Sequence, residues 1–86
     1  MSGEKRNHAR AHVLRRGKIV FRRGYGAIDC VVLDVSPQGA RLRVATWLGL
    51  PETFQLRIEN GAVHEARVRY RHVEEIGVEF VEERVA

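Results

Sequence analysis

The stretch Phe54-Gln55-Leu56-Arg57-Ile58-Glu59-Asn60-Gly61 decides the fold class of this chain. Apolar and polar residues alternate from Phe54 to Glu59, and this period of two predicts a strand with one buried face. Asn60-Gly61 then predicts a hairpin, because a type I′ turn requires positive φ at both of its central positions. The chain therefore turns back directly into a second strand.

The same pattern extends along most of the chain on both sides of this hairpin. Val-, Ile- and Leu-rich segments are separated by turn sequences such as Gly24-Tyr25-Gly26 and Ser36-Pro37-Gln38-Gly39. We predict six strands, near residues 12–22, 26–35, 38–45, 53–59, 62–73 and 76–82. Six short antiparallel strands indicate an all-β fold, a closed or nearly closed barrel, because closure removes exposed strand edges.

The segments outside these strands are short. Residues 1–11 are polar, basic and aperiodic, so we expect a flexible N-terminal arm followed by one barrel domain over residues 12–86. The connection Thr46–Pro51 carries Trp47, Leu48 and Leu50, which we expect to cover one end of the barrel. Residues 82–86 allow little or no C-terminal helix.

Charge is distributed unevenly along the 86 residues. Residues 1–23 contain eight Lys and Arg but one acidic residue, Glu4, whereas the remainder contains seven Arg and ten Asp and Glu. An anionic ligand therefore has a preferred end of the chain to approach. This asymmetry favours a partner that carries phosphate groups.

Few residues are arranged for catalysis or for metal binding. The single cysteine, Cys30, excludes an internal disulfide and lies in an apolar run, which indicates a buried, inert thiol. His8 and His12 are four residues apart in a segment without helical periodicity, so we expect no metal site and no cofactor. Ser36 has no nearby base other than Asp34, and a third triad member is missing. We therefore expect that the protein is not an enzyme.

Localisation follows from the absence of apolar segments of sufficient length. No stretch approaches the roughly 20 residues that a membrane-spanning helix requires, and the polar N-terminus lacks the apolar core of a secretion signal. We expect a cytoplasmic protein.

Two short motifs stand out against this background. Arg6 and Arg10 lie four residues apart in the arm, and Asp34, Ser36 and Gly39 fall within one strand-end turn. Each motif has a simpler interpretation when taken alone, since basic termini are commonly solvated and Asp-x-Ser turns commonly bond to themselves.

Taken together, the two motifs complement a guanine nucleotide. A guanidinium can bind a phosphate, or the O6 and N7 atoms of guanine, through two parallel hydrogen bonds. A carboxylate can accept hydrogen bonds from the opposite edge of the base. A serine hydroxyl can reach a phosphate or ribose oxygen, and a glycine lets a ligand approach the main chain closely.

The arrangement resembles the PilZ domains of bacterial cyclic-di-GMP receptors. Their signature is an R-x-x-x-R arm followed by a [D/N]-x-S-x-x-G turn, which Arg6, Arg10, Asp34, Ser36 and Gly39 match here. Ala40-Arg41-Leu42-Arg43 resembles the family's third strand, and Ile76-Gly77-Val78-Glu79-Phe80 resembles its closing strand. The similarity covers residues 5 to 82.

The resemblance implies a six-stranded antiparallel barrel that binds cyclic di-GMP on its outer wall through the motif residues. Lys5 stands where members commonly have a third arginine, so it keeps the charge but loses the planar fork. Tyr70, seven residues before Gly77, occupies the position of an aromatic residue that stacks on guanine in some members. A core tyrosine on the same face as Val68 is the alternative.

The function predicted on this basis is a cyclic-di-GMP sensor or adaptor. Ligand binding would order the arm and signal to an unidentified effector protein. One alternative is a PilZ-like adaptor that binds protein without the ligand. Another is a nucleic-acid-binding barrel, for which Arg15-Arg16, Arg22-Arg23 and an expected row of Arg67, Arg69 and Arg71 could follow a phosphate backbone. Aromatic residues that could stack on bases are few, so we expect no nucleic-acid partner.

Overall fold

A computed structural model describes residues 11–81 of the chain, with side chains from Leu14 onward. It contains six strands and one short 3-10 turn, Arg22–Gly24. The strands are β1 (Ala11–Phe21), β2 (Gly26–Val35), β3 (Gly39–Arg43), β4 (Thr53–Ile58), β5 (Val63–His72) and β6 (Glu75–Phe80). The six predicted strands are confirmed. Of the predicted arm, the described residues include only Ala11, which is the first residue of β1. Residues 82–86 also lie outside the described residues.

The strands close into one barrel in the order β1-β2-β3-β6-β5-β4, and each strand pairs antiparallel with both of its neighbours. The predicted all-β fold, a six-stranded antiparallel barrel, is therefore confirmed. Because the sheet closes on itself, every described strand is paired on both sides along part of its length, although Ala11–Arg15 of β1 and Gly26–Cys30 of β2 pair with one neighbouring strand only. Within residues 11–81, no helix is long and apolar enough to cross a membrane.

The barrel interior is filled by the apolar half of each alternating strand. Ile19, Val32, Leu42, Leu56 and Ile76 are completely buried at its centre. Cys30 is 5 % exposed, which confirms the buried thiol, and burial together with the nearby negative charge of Asp29 raises its pKa to about 12.

The hairpin at Asn60-Gly61 forms, but the predicted type I′ turn is wrong. Gly61 has φ 101°, whereas Asn60 is not among the residues with positive φ. The amide of Gly61 donates to the Ile58 carbonyl (2.8 Å) and the Ile58 amide donates to the Ala62 carbonyl (2.8 Å). These bonds define a three-residue loop in which glycine supplies the single left-handed position.

The connection between β3 and β4 covers one barrel end, as predicted, although not with all three apolar residues. Trp47 and Leu50 pack against the core, and the Trp47 indole Nε1 donates to the His72 carbonyl at 2.9 Å. Leu48 instead is 77 % exposed. The expectation that Leu48 helps to cover the barrel is wrong.

Bulges interrupt three of the strands at a similar level of the barrel wall. The register shifts between His12 and Arg15 in β1, between Val32 and Asp34 in β2, and between Val68 and Tyr70 in β5. A bulge adds a residue to one strand and so reverses the side on which the following side chains emerge. These shifts determine which side chains face outward at the candidate site.

Candidate functional site

Four residues from four strands form one row across the outer side of the barrel wall. Asp34 on β2 pairs with Arg41 on β3, Arg41 pairs with Gly77 on β6, and Gly77 pairs with Tyr70 on β5. Arg41 alternates with the buried residues Ala40 and Leu42, so it points outward, and directly paired residues share one side of a sheet. The row therefore brings Asp34 and Tyr70, which lie far apart in the sequence, onto one surface.

The Asp34 carboxylate is bound by the Arg41 guanidinium. Nη2 of Arg41 lies 2.7 Å from Asp34 Oδ2, and Nε donates to the same oxygen at 2.9 Å. Asp34 is 1 % exposed, whereas the Arg41 side chain is 35 % exposed. The hydrogen bond to Asp34 is the main reason that the pKa of Arg41 is raised above its usual value. The pair thus places a buried negative charge behind a partly exposed positive one.

A second carboxylate, Glu75, joins Arg41 to Tyr70. Its Oε2 accepts from Arg41 Nη1 at 3.4 Å and from the Tyr70 hydroxyl at 3.2 Å. Burial is the largest cause that raises the pKa of Tyr70, and the hydrogen bond to Glu75 raises it further. One network of side chains therefore runs from Asp34 through Arg41 and Glu75 to Tyr70.

The Tyr70 ring lies flat against the outer side of β6. A Cβ atom built on Gly77 would collide with Cε2 of the ring, so the missing side chain at Gly77 makes the seat for it. Tyr70 is 40 % exposed and points outward, because the bulge after Val68 reverses the alternation. The alternative in which Tyr70 packs on the same face as Val68 is therefore wrong.

The turn from Ser36 to Gly39 is tightly bonded to itself. Ser36 and Gly39 exchange backbone hydrogen bonds of 2.8 and 3.3 Å, and the Gln38 amide donates to the Ser36 hydroxyl at 3.2 Å. Gly39 does not have positive φ. Its glycine requirement is steric, because a Cβ atom there would collide with the main-chain carbonyl oxygen of Val78. Gly39 thus lets β3 approach β6 closely beside the turn.

A groove of about 590 Å³ connects the turn with the row. Its lining comes from β3, β5, β6 and the turn, and consists of Ser36–Arg41, Arg69, Tyr70 and Gly77–Phe80. Three of the predicted ligand-binding residues, Ser36, Gly39 and Tyr70, therefore meet on one surface. Asp34 reaches this surface through Arg41, whereas Lys5, Arg6 and Arg10 lie outside the described residues.

Sequence reasoning did not identify Arg41 and Glu75 as site residues. The outward direction of Arg41 could have been inferred, since it lies between two apolar residues of a predicted strand, two positions after Gly39. Its proximity to Glu75 could not be inferred, because it depends on the pairing of β3 with β6, which are far apart in the chain. The bulge that turns Tyr70 outward likewise has no clear sequence signal.

The expected row of arginines on β5 is interrupted. Arg67 and Arg69 both lie near Glu79, with nitrogen–oxygen distances of 3.6 and 3.0 Å. After the bulge, Arg71 instead lies over the Trp47 ring, 5.8 Å from its centroid. The continuous cationic row that would support nucleic-acid binding does not form on this strand.

The described residues thus form a small closed barrel with a polar groove on its outer wall. The chain matches the PilZ domain family over residues 4–86, essentially its whole length, and it belongs to that family. PilZ domains are binding and adaptor modules, and the family is one of cyclic-di-GMP receptors. A search of the curated proteins finds no match.

Proposed function

We propose that this protein is a cyclic-di-GMP sensor that binds the dinucleotide in the groove beside the Ser36–Gly39 turn. The observation that carries the proposal is the meeting of Ser36, Gly39 and Tyr70 on one groove wall, with Asp34 linked to that wall through Arg41. This arrangement offers a hydroxyl and an aromatic face to one ligand, on either side of the buried Gly39. Those groups suit the ribose-phosphate and base parts of a guanine dinucleotide.

The cationic part of the proposed site comes from the N-terminal motif. Arg6 and Arg10, with Lys5 in support, supply charge-assisted hydrogen bonds to the phosphates or to the Hoogsteen edge of guanine. Ligand binding orders residues 1–10 against the barrel, because two phosphates offset the mutual repulsion of the basic side chains. The surface formed in this way is then engaged or released by an effector protein.

Calorimetric titration of cyclic di-GMP into the wild-type protein tests the binding step. Each charged hydrogen bond is worth about 1.5–3 kcal/mol, so Arg10→Ala and Arg6→Ala should each weaken binding about ten- to a hundredfold. Arg15→Ala is the matched control, since it removes the same charge from a nearby exposed position outside the motif. Absence of binding by the wild-type protein at sub-millimolar ligand would overturn the proposal.

The ordering step needs a separate measurement. Backbone ¹⁵N relaxation of residues 5–10 should report restricted motion in the presence of cyclic di-GMP and faster motion without it. Unchanged relaxation in a saturated complex would show that binding does not order the arm, and the switch would then be wrong even if the affinity were high.

A further inference from the structure

Arg41 differs from Arg69, the other arginine that lines the groove, in the way its guanidinium is held. Asp34 binds Nε and Nη2, and Glu75 binds Nη1 from another direction. These contacts use one hydrogen on each nitrogen, so Nη1 and Nη2 each retain a second donor. The side chain is 35 % exposed and lines the groove. Arg41 is therefore a cation held in a fixed orientation with donors still available at the surface.

Tyr70 supplies a flat surface next to this cation. Its ring rests on Gly77, and Gly77 is the residue between Tyr70 and Arg41 in the cross-strand row. The hydroxyl of Tyr70 and Nη1 of Arg41 bind the same oxygen of Glu75. The aromatic face and the guanidinium therefore have a defined position relative to each other.

A stacking surface beside an oriented guanidinium suits a planar base that has hydrogen-bond acceptors along one edge. Guanine presents two adjacent acceptors, O6 and N7, which match an arginine fork, whereas adenine presents a donor in place of O6. We propose that Arg41 is a further ligand-binding residue, which contacts O6 and N7 of a guanine stacked on Tyr70. Asp34 and Glu75 act as positioning residues, because they fix the plane of the Arg41 guanidinium.

This inference rests on the proposed binding of cyclic di-GMP, and its test compares two ligands as well as two proteins. The second ligand is the 7-deaza analogue of cyclic di-GMP, in which a carbon replaces N7 of each guanine. The protein variant is Arg41→Lys, which keeps a positive charge beside the buried Asp34 carboxylate but loses the planar fork. Affinities of both proteins for both ligands are measured by calorimetry.

Wild-type protein should prefer cyclic di-GMP over the 7-deaza analogue by about tenfold or more, the value of one charged hydrogen bond. Arg41→Lys should bind cyclic di-GMP more weakly and should lose most of this preference. The control, Arg43→Lys, changes an exposed arginine two positions along the same strand and outside the groove, and should keep the preference.

The comparison separates a ligand contact from a structural role. If Arg41 only stabilises Asp34, the variant loses affinity for both ligands equally and keeps the wild-type preference, which overturns the inference. A preference that is missing in the wild-type protein also overturns it. Failure of the wild-type protein to bind cyclic di-GMP at all would instead overturn the proposed function.

Discussion

Arg41 and Asp34 form an asymmetric ion pair on the outer wall of the barrel. The nitrogen–oxygen distance is 2.7 Å, and the Asp34 side chain is almost fully buried, whereas the Arg41 side chain is 35 % exposed. A buried charge loses its hydration, so its desolvation costs far more free energy than that of a charge that stays partly in solvent. We therefore expect loss of this ion pair to cost more at the Asp34 carboxylate than at the Arg41 guanidinium.

The first prediction follows from this asymmetry. Arg41→Ala should lower the free energy of unfolding by about 1–3 kcal/mol, because it removes the guanidinium hydrogen bonds from a buried carboxylate. Asp34→Ala should cost less, since Arg41 retains solvent and its contact with Glu75. Urea denaturation measures both losses, and Arg43→Ala should stay within about 0.5 kcal/mol of the wild type. Equal losses for the two partners would contradict the asymmetry.

A second prediction contrasts two glycines of the groove. Gly39→Ala should destabilise the fold by about 1–3 kcal/mol, because the new methyl group meets the Val78 carbonyl oxygen, which cannot move without shifting β6. Gly77→Ala should cost less stability, since the Tyr70 ring that it meets can rotate away.

Gly77→Ala should also affect the affinity for the ligand. Gly77→Ala removes the seat of Tyr70, so we expect weaker cyclic-di-GMP binding in an otherwise folded protein. In the Tyr70→Ala background, Gly77→Ala should weaken binding no further. An additional loss in that background, measured by calorimetry, would show that Gly77 affects the ligand by another route.

The third prediction concerns Cys30. With its pKa raised to about 12, the thiol stays protonated in the folded protein at pH 8, and it should react with Ellman's reagent only after unfolding. The thiol holds its proton more tightly in the folded than in the unfolded protein. Titration of Cys30 therefore leaves the free energy of unfolding unchanged below about pH 9 and lowers it as the pH rises toward 12.

Chemical denaturation between pH 9 and 11 measures that loss. Cys30→Ala removes the titrating group, so the stability of this variant should fall less steeply over the interval than that of the wild type. Rapid thiol reaction in native buffer, or parallel pH profiles for the two proteins, would show that Cys30 is not protected as described.

The fourth prediction tests the β4–β5 hairpin. Gly61 has φ 101°, and a side chain there would be strained although the surrounding space is open. Gly61→Ala should therefore destabilise the protein by roughly 1–2 kcal/mol. Gly61→Asn should recover part of this loss, since asparagine tolerates left-handed backbone better. Equal stability of the alanine variant and the wild type would contradict the loop geometry.

The strands could be predicted because each one carries its own signal. Phe54, Leu56 and Ile58 alternate with polar residues, and their burial follows that alternation directly. The turn at Asn60-Gly61 was located correctly but assigned the wrong type, because the preference for Asn-Gly is shared by several hairpin loops. Local patterns therefore identified the elements, and they singled out Ser36 and Gly39, which line the groove.

The sequence alone determined the strands, the barrel and the positions of the two motifs, because alternation and turn chemistry are properties of neighbouring residues. Tertiary structure alone decided that Arg41 and Glu75 join Asp34 to Tyr70. That network depends on the pairing of β3 with β6 and on the bulge after Val68. The strand pairing brings together residues more than thirty positions apart, such as Arg41 and Glu75, and the bulge changes the side on which Tyr70 emerges, so no local pattern encodes the network.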